Sequence, residues 1–291
     1  MARPRPTIRR RRVAREVKRL TEAAGKKPAD LAALLECQMP KVYKLLGAKS
    51  GFNPSELLRV LEALGVDEPL KAQLVAWNRE SRIRGLVQEH AEAAPEFRRP
   101  YIAFEQDATS LLVFENELVH GLLQTEDYAR AVITAMSPDM PDAEVQRRVE
   151  LRTARQGILT GEEPLSYWVI LRESVLRDEV GSAKVMADQL AKLLEMARLK
   201  NVTLQVHPAT AGAHAAMGSA FAILGFTDED DLDLVYVEDL TMSLLLEKPE
   251  QLSTYSVAFN RLRAAALSPE LSMDLLQRVA NEWTLSIGGT A

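Results

Sequence analysis

The chain has 291 residues, of which 26% are charged and 47% are hydrophobic, and its formal net charge is −5. This composition predicts a soluble globular protein of about two domains, and the absence of any run of about 18 apolar residues excludes a membrane-spanning segment. The single cysteine, Cys37, excludes an intrachain disulfide and favours a reducing, cytoplasmic compartment.

Charge is divided very unevenly along the chain. The first fifty residues hold fourteen basic and four acidic side chains, a formal charge of +10, which leaves −15 for the rest. The basic N-terminus lacks the apolar core of a secretory signal. Segregation of this kind predicts that one end contacts a polyanion and that the other end has a different role.

The first 85 residues are predicted to form a small helical domain over residues 8–85. Apolar residues at spacings of three and four predict its helices, which cover residues 9–24, 28–35, 38–46, 55–64 and 68 to about 85. Gly25 suits the end of the first helix, and Pro28 suits the start of the second. Glu36 and Cys37 are predicted to form the tight turn between the second and third helices.

Residues 86–100 are polar and contain two prolines, so they predict a linker. A mixed α+β domain is expected over residues 101–285. Its predicted helices cover residues 126–135, 142–159, 184–200, 249–266 and 269–283. Its predicted strands cover residues 165–174, 201–209, 219–226, 232–239 and 243–248. In the second strand, Thr203, Gln205 and His207 alternate with apolar residues, which predicts one buried and one polar face. An acidic turn is expected at residues 228–231.

The motifs that mark common enzyme classes are missing from the sequence. It has no phosphate-binding glycine loop, no GxSxG and no HExxH. His207 and His214 are seven residues apart, without a cysteine or a close carboxylate as a third metal ligand. Local hydrogen bonding is therefore the interpretation for both histidines. We expect no catalytic residues, no metal and no cofactor.

The second and third helices and their turn have the outline of a helix-turn-helix. In that motif the second helix lies in the major groove of double-stranded DNA and its early residues meet base edges. Basic residues at the starts of the first and second helices would hold the phosphates. The predicted DNA-binding residues are Arg9, Arg10, Arg11, Arg12, Lys27, Gln38, Met39, Lys41, Tyr43 and Lys44. The alternative is a small helical bundle whose basic face contacts protein or RNA.

The sequence VAREVKRLTEAAGKKPADLAALLECQMPKVYKLLG and the helix after it resemble the Xre, or lambda-repressor-like, helix-turn-helix. Three later segments, YIAFEQDATSLLVFENELVHGLLQTEDYARAVI, RVELRTARQGIL and VGSAKVMADQLAKLLEMARLKNVTLQVHPATAGAHAAMGSAFAIL, resemble a C-terminal domain that is fused to such heads in regulators from Streptomyces and other actinobacteria. The resemblance implies a lambda-repressor-like head, an α+β regulatory domain and an antitoxin-like transcriptional regulator. It also implies a very small partner protein encoded nearby.

The chain departs from this family pattern inside the helix-turn-helix of residues 28–46 and just before it, a segment called the reading head below. Lys27-Pro28 stands where the family usually has Thr-Gln, Glu36 replaces the turn glycine, and the third helix begins Gln38-Met39-Pro40 in place of Ser-Gln-Ser. Glu36 would repel the DNA backbone. These departures leave the operator sequence open and make weakened DNA binding an alternative.

The resulting hypothesis is a cytoplasmic, nucleoid-associated homodimer that binds double-stranded DNA and is modulated by a small partner protein. Dimerisation is expected because one short recognition helix gives little sequence specificity. The rival hypothesis is an interaction module that sequesters the small partner while its DNA binding is weakened. Candidate partner- or ligand-binding residues in the C-terminal domain are Tyr128, Arg130, His207, His214 and Met217.

Overall fold

The computed structural model describes residues 8–80, 93–161, 163–226 and 233–288. The chain divides into two compact units, residues 1–85 and residues 86–291. The first unit is helical, and the second combines a mixed sheet with helices. The predicted fold class, an all-α head followed by an α+β domain, is therefore confirmed.

The described helices of the first unit are α1 Ile8–Ala23, α2 Pro28–Leu34, α3 Met39–Leu46, α4 Pro54–Ala63 and α5 Glu68–Glu80. Their apolar stripes meet in one core, where Val17, Leu57, Val60 and Leu61 are completely buried. The periodicity thus predicted both ends of α1 to α4, and the start of α5, to within two residues. The predicted extension of α5 beyond residue 80 lies outside the described residues.

In the second unit the described helices are α6 Arg99–Asp107, α7 Glu126–Met136, α8 Asp142–Arg155, α9 Ser174–Arg177, α10 Ala183–Met196, α11 Pro249–Ala265 and α12 Pro269–Gly288. The strands are β1 Ser110–Glu115, β2 Ser166–Arg172, β3 Val202–His207, β4 Phe221–Gly225, β5 Leu234–Glu238 and β6 Ser243–Leu246. Thr125 caps α7, because its hydroxyl accepts a hydrogen bond from the Tyr128 backbone N–H at 3.2 Å.

The six strands form one sheet in the order β3-β2-β1-β4-β5-β6. Strands β1, β2 and β3 run parallel, whereas β4 is antiparallel to β1 and continues into an antiparallel meander through β5 and β6. On one face, Phe114, Ile170 and Val235 pack against Phe259 and Leu262 of α11. The residues that alternate with them are also buried, among them Leu111, Tyr167 and Leu224. Helices or loops therefore cover both faces of the sheet.

Strand β3 departs from its predicted pattern of one polar face. Gln205 and His207 are buried, with 6% and 0% of their surface exposed. Gln205 accepts a hydrogen bond from the Trp168 indole at 2.9 Å and donates one to the Leu267 carbonyl at 2.7 Å. The one-face prediction was wrong because the C-terminal segment, about 60 residues further along, covers the polar side.

Other predicted boundaries also change. Helix α6 and strand β1 were not predicted, although β1 lies inside the sheet. The helix predicted over residues 142–159 ends at Arg155 and continues as a 3₁₀ turn, and α12 extends five residues beyond its predicted end. The predicted linker over residues 86–100 lies partly outside the described residues, and within it Ala93 and Ala94 are buried. The predicted acidic turn at residues 228–231 lies outside them as well.

No helix among the described residues combines the length and apolarity that crossing a membrane requires.

Candidate nucleic-acid interface

Helices α2 and α3 and the four residues between them form the helix-turn-helix. Val42 and Leu45 on the inner side of α3 are 1% and 2% exposed, and they belong to the same apolar core as Leu31 and Leu35. Pro40 lies in the first turn of α3, where its missing N–H costs no helical hydrogen bond. The inner residues therefore pack α3 against the core, and the other side of the helix faces solvent.

The turn itself closes as a Schellman motif. The Cys37 N–H donates to the Ala32 carbonyl at 3.0 Å, and the Glu36 N–H donates to the Ala33 carbonyl at 3.2 Å. Glu36 takes the left-handed position with φ of +49°. The same motif ends α1 and α4, where the equivalent positions are Gly25 and Gly65 with φ of +67° and +66°. The turn thus holds a non-glycine residue at the position that is glycine after α1 and α4, and Ala48, after α3, is a second left-handed non-glycine residue with φ of +54°.

The outward side of α3 is formed by Pro40, Tyr43 and Lys44, with Gln38 exposed at the N-cap. Tyr43 exposes 61% of its surface, which is high for a large aromatic residue. Lys44 is exposed, and no described acidic side chain lies within ion-pairing distance of it. Aromatic and cationic groups on one exposed helix face can contact bases and phosphates.

Met39, another residue predicted to contact DNA, is less exposed than Tyr43 and Lys44. Its side chain is partly buried and packs against the core of the first unit, beside the buried α3 residues. Only the exposed part of the side chain is available to DNA, so the assignment of Met39 as a DNA-binding residue stays a prediction.

Lys41 is exposed but already has a partner. Its Nζ lies 2.5 Å from Oε1 of Glu56, which is in the first turn of α4. This hydrogen bond holds the pKa of the Glu56 carboxyl below its usual value and raises that of Lys41. Glu56 also accepts a hydrogen bond from the Asn53 backbone N–H at 3.3 Å, as in a capping box. Part of the predicted positive surface is therefore compensated within the protein.

The N-terminal arginines lie within α1, whose first residue is Ile8. Arg10, Arg11 and Arg12 are partly buried, and the Arg12 guanidinium lies 5.7 Å from the centre of the Trp77 ring. The side chain of Arg9 lies outside the described residues. The exposed Lys27 precedes α2, and its backbone N–H donates to Asp30 at 2.7 Å.

Two interface residues were not predicted, Glu56 and Arg59. The Arg59 guanidinium donates to the Leu34 carbonyl at the end of α2 and lies 3.6 Å from the Glu36 carboxylate. It therefore offsets some of the negative charge in the turn. The Asn-Pro-Ser-Glu sequence at residues 53–56 is a capping signal and could have identified Glu56 as a helix-start residue, but nothing in the sequence pairs it with Lys41.

The partner or ligand residues predicted in the second unit do not form one site in the described structure. Tyr128 is completely buried, and its hydroxyl accepts a hydrogen bond from the Val119 N–H at 3.2 Å. Arg130 binds the side chain of Gln146. Tyr128 has no surface to offer a partner, so that prediction was wrong.

The two histidines are close, with ring centres 4.9 Å apart. His207 lies on β3, and both of its ring nitrogens are buried without a hydrogen-bond partner among the described residues. His207 thus lies on the strand that the sequence predicted, and because none of its surface is exposed it offers none to a partner protein. His214 does accept a hydrogen bond from the Ala216 N–H at 3.3 Å, and Met217 exposes 68% of its surface. Burial lowers the pKa of both histidines.

Comparison with known proteins agrees with this division of the chain. A family model described as a helix-turn-helix domain matches residues 12–74, which span α1 to α4 and half of α5. A second model, described as a domain of unknown function (DUF5753), matches residues 98–278. No curated protein and no solved structure matches the chain. The second match covers more than half of the sequence, so the chain belongs to the DUF5753 family and carries a helix-turn-helix domain in front of that region.

Proposed function

We propose that this protein is a sequence-specific DNA-binding transcriptional regulator of the Xre type that acts as a dimer in the cytoplasm, on the nucleoid. The observation that carries the proposal is the outward face of α3, where Tyr43 and Lys44 are exposed on a helix that Val42 and Leu45 pack onto the core. The match to a helix-turn-helix domain supports it. The excess of basic residues in the first fifty positions supplies attraction to the phosphates.

Dimerisation is supported by two considerations. An eight-residue recognition helix reads only a short half-site, and two half-sites one helical turn apart supply the remaining specificity. Strand β6 lies at the end of the sheet order and carries the exposed Leu244, with Met242 exposed just before it. The opposite edge differs, because the Leu267 N–H and the Ser272 hydroxyl bond to the backbone of Val206 on β3. An apolar edge strand of this kind suits pairing with a second chain.

We further propose an antitoxin-like role in which a small partner protein, encoded nearby, modulates DNA binding through the second unit. The support for this step is the resemblance of the C-terminal segments to regulators of that kind.

Fluorescence anisotropy of the full chain on its own promoter fragment tests the function, with a scrambled duplex of the same length as the control. We expect tighter binding to the promoter fragment, together with sedimentation as a dimer. Equal affinity for both duplexes would contradict sequence-specific regulation, and a monomer with and without DNA would contradict the dimer.

A second candidate function is an interaction module that sequesters the small partner while its DNA binding is weakened. The ion pair between Lys41 and Glu56 and the acidic residue Glu36 in the turn favour it, because both reduce the positive charge of the reading head. Weak binding to both duplexes with a steep dependence on salt would support this candidate.

A further inference from the structure

Three arginines share one face of α8. Arg148, Arg152 and Arg155 follow one another at spacings of four and three, which places their side chains on the same side of a helix. They lie in the RVELRTARQGIL segment, for which DNA binding gives no role. Together with Arg98 they line a cavity of about 350 Å³ in the second unit. This volume lies within the range of small-molecule sites.

Two of these arginines are neutralised by carboxylates. Arg155 binds Glu105 through two hydrogen bonds of 2.7 Å, and both side chains are buried. Arg98 forms an ion pair with Glu238. Arg148 is only loosely paired, 3.4 Å from Glu144.

Arg152 is the exception. Its Nη1 donates to the neutral Gln124 side chain at 2.6 Å, and no described carboxylate lies within ion-pairing distance of it. Burial, together with Arg98, Arg155 and Arg148, lowers its pKa to about 9, so it remains charged at neutral pH. Burial also raises the pKa of nearby Glu115 to about 8, which weakens the negative charge that Glu115 offers to Arg152. Arg152 is partly buried, and a partly desolvated cation without an adjacent carboxylate is costly, so a bound anion would lower that cost.

The rest of the cavity lining is mostly apolar, and its polar members are Ser137 and Glu238, the partner of Arg98. Ile102, Ile133 and Leu151 line it, and Met136 and Leu240 add side chains that are 55% and 79% exposed. The positive groups therefore face a space that can also hold an apolar body.

We propose that this cavity binds a small organic anion, whose phosphate or carboxylate group pairs with Arg152 and Arg148 and whose apolar part contacts Ile133 and Leu151. Guanidinium groups bind both oxyanions through paired hydrogen bonds, so the site is defined by that shared chemistry. The proposal concerns the second unit alone and does not depend on DNA binding.

A row of buried hydrogen-bonded side chains lies behind one wall of the cavity. The Tyr167 hydroxyl lies 2.8 Å from Nδ1 of His120, whose Nε2 lies 3.3 Å from the Tyr101 hydroxyl. The Arg155 guanidinium lies 5.7 Å from the centre of the Tyr101 ring and is held by Glu105. These contacts fix Arg155 as part of the wall, and they leave Arg152 and Arg148 for a ligand.

Isothermal titration of the full chain tests the proposal with four probes. Phenyl phosphate and benzoate carry the two oxyanions on the same ring, inorganic phosphate lacks the apolar part, and benzyl alcohol lacks the charge. We expect one of the two aromatic anions to bind more tightly than inorganic phosphate, and which one binds better identifies the oxyanion. Benzyl alcohol should not bind. Failure of both aromatic anions to bind at millimolar concentration would overturn the proposal.

Arg152→Met should weaken binding of the preferred probe about tenfold or more, since a charge-assisted hydrogen bond is lost. Arg147→Met is the matched control, because Arg147 is on the same helix but pairs with Glu144 at the surface and does not line the cavity. Thermal melting should show both variants folded, and Arg148→Met provides the same test if Arg152→Met fails to fold. Equal weakening in the cavity variant and the control would also overturn the proposal.

Discussion

The left-handed backbone conformation of Glu36 has a free-energy cost that can be measured. It occupies the left-handed position of the Schellman motif that ends α2, and the same motif at the ends of α1 and α4 has glycine at that position. A side chain there costs about 1 kcal/mol relative to glycine. Glu36→Gly should therefore raise the free energy of unfolding of the first unit by about this amount, measured by scanning calorimetry of the full chain.

Glu36→Ala is the control for charge at this position. It removes the carboxylate but keeps a Cβ in the left-handed conformation, so we expect it to give much less stabilisation than Glu36→Gly. If alanine and glycine stabilised the unit equally, the explanation would be charge and not backbone strain.

His120 should make the second unit sensitive to acid. Burial lowers its pKa to about 4, whereas in the unfolded chain it titrates near its ordinary value of 6.5. The folded protein therefore keeps this ring neutral while the unfolded chain gains a proton. This difference in pKa contributes about 3 kcal/mol to the free energy of unfolding above pH 6.5, and the contribution is lost as the pH falls from 6.5 toward 4.

Urea denaturation of the wild type and of His120→Asn at pH 7 and pH 4.5 checks this expectation. Both proteins lose stability in acid through their carboxylates, so the informative quantity is the difference between them. We expect the wild type to lose more stability than the variant between the two pH values. Equal losses would show that His120 does not titrate in this range.

At the scale of the element, α3 and the start of α4 are linked, because the Glu56 carboxylate forms an ion pair with Lys41. Glu56→Gln removes the ion pair, while glutamine can still accept a hydrogen bond from the Asn53 N–H. Lys41 would then be available to a phosphate. We expect affinity for a duplex to rise by up to about fivefold, the scale of a surface ion pair.

Glu62→Gln is the charge-matched control, since Glu62 is exposed on the same helix. Anisotropy titrations at two salt concentrations compare the variants. If Glu62→Gln increased affinity as much as Glu56→Gln, the effect would come from net charge and not from release of Lys41.

Several elements could be predicted from the sequence because their signals are local. The stripe of Val13 and Val17, the prolines at helix starts and the alternation in β3 each depend on neighbouring residues. Strand β1, with the sequence SLLVFE, was not predicted. It is a short apolar run, and periodicity alone does not distinguish such a run from a segment of buried helix.

Contacts between distant parts of the chain could not be predicted in this way. The ion pair from Lys41 to Glu56 joins residues fifteen positions apart, and the polar side of β3 is covered by a segment about 60 residues later. The cavity of the second unit likewise brings Arg98 together with the three arginines of α8, which lie much later in the sequence. Sequence periodicity located the arginines on one helix but gave no information about what they face.

At the scale of the whole molecule, the two units carry opposite charge. The first fifty residues have a formal charge of +10, and the remainder of the chain has −15. Salt screens exposed charges beyond about 8–10 Å, so an acidic total does not prevent a basic surface from attracting DNA. The overall acidity of the chain and its helix-turn-helix domain are therefore compatible.

The central claim is that the outward face of α3 contacts DNA. It is tested most directly by the salt dependence of duplex binding for the wild type, Lys44→Ala and Lys200→Ala. The last variant removes an exposed lysine from the second unit. We predict that Lys44→Ala weakens binding and reduces the slope of log K against log salt by about 1, whereas Lys200→Ala changes neither. Identical affinities and slopes for all three proteins would contradict the account.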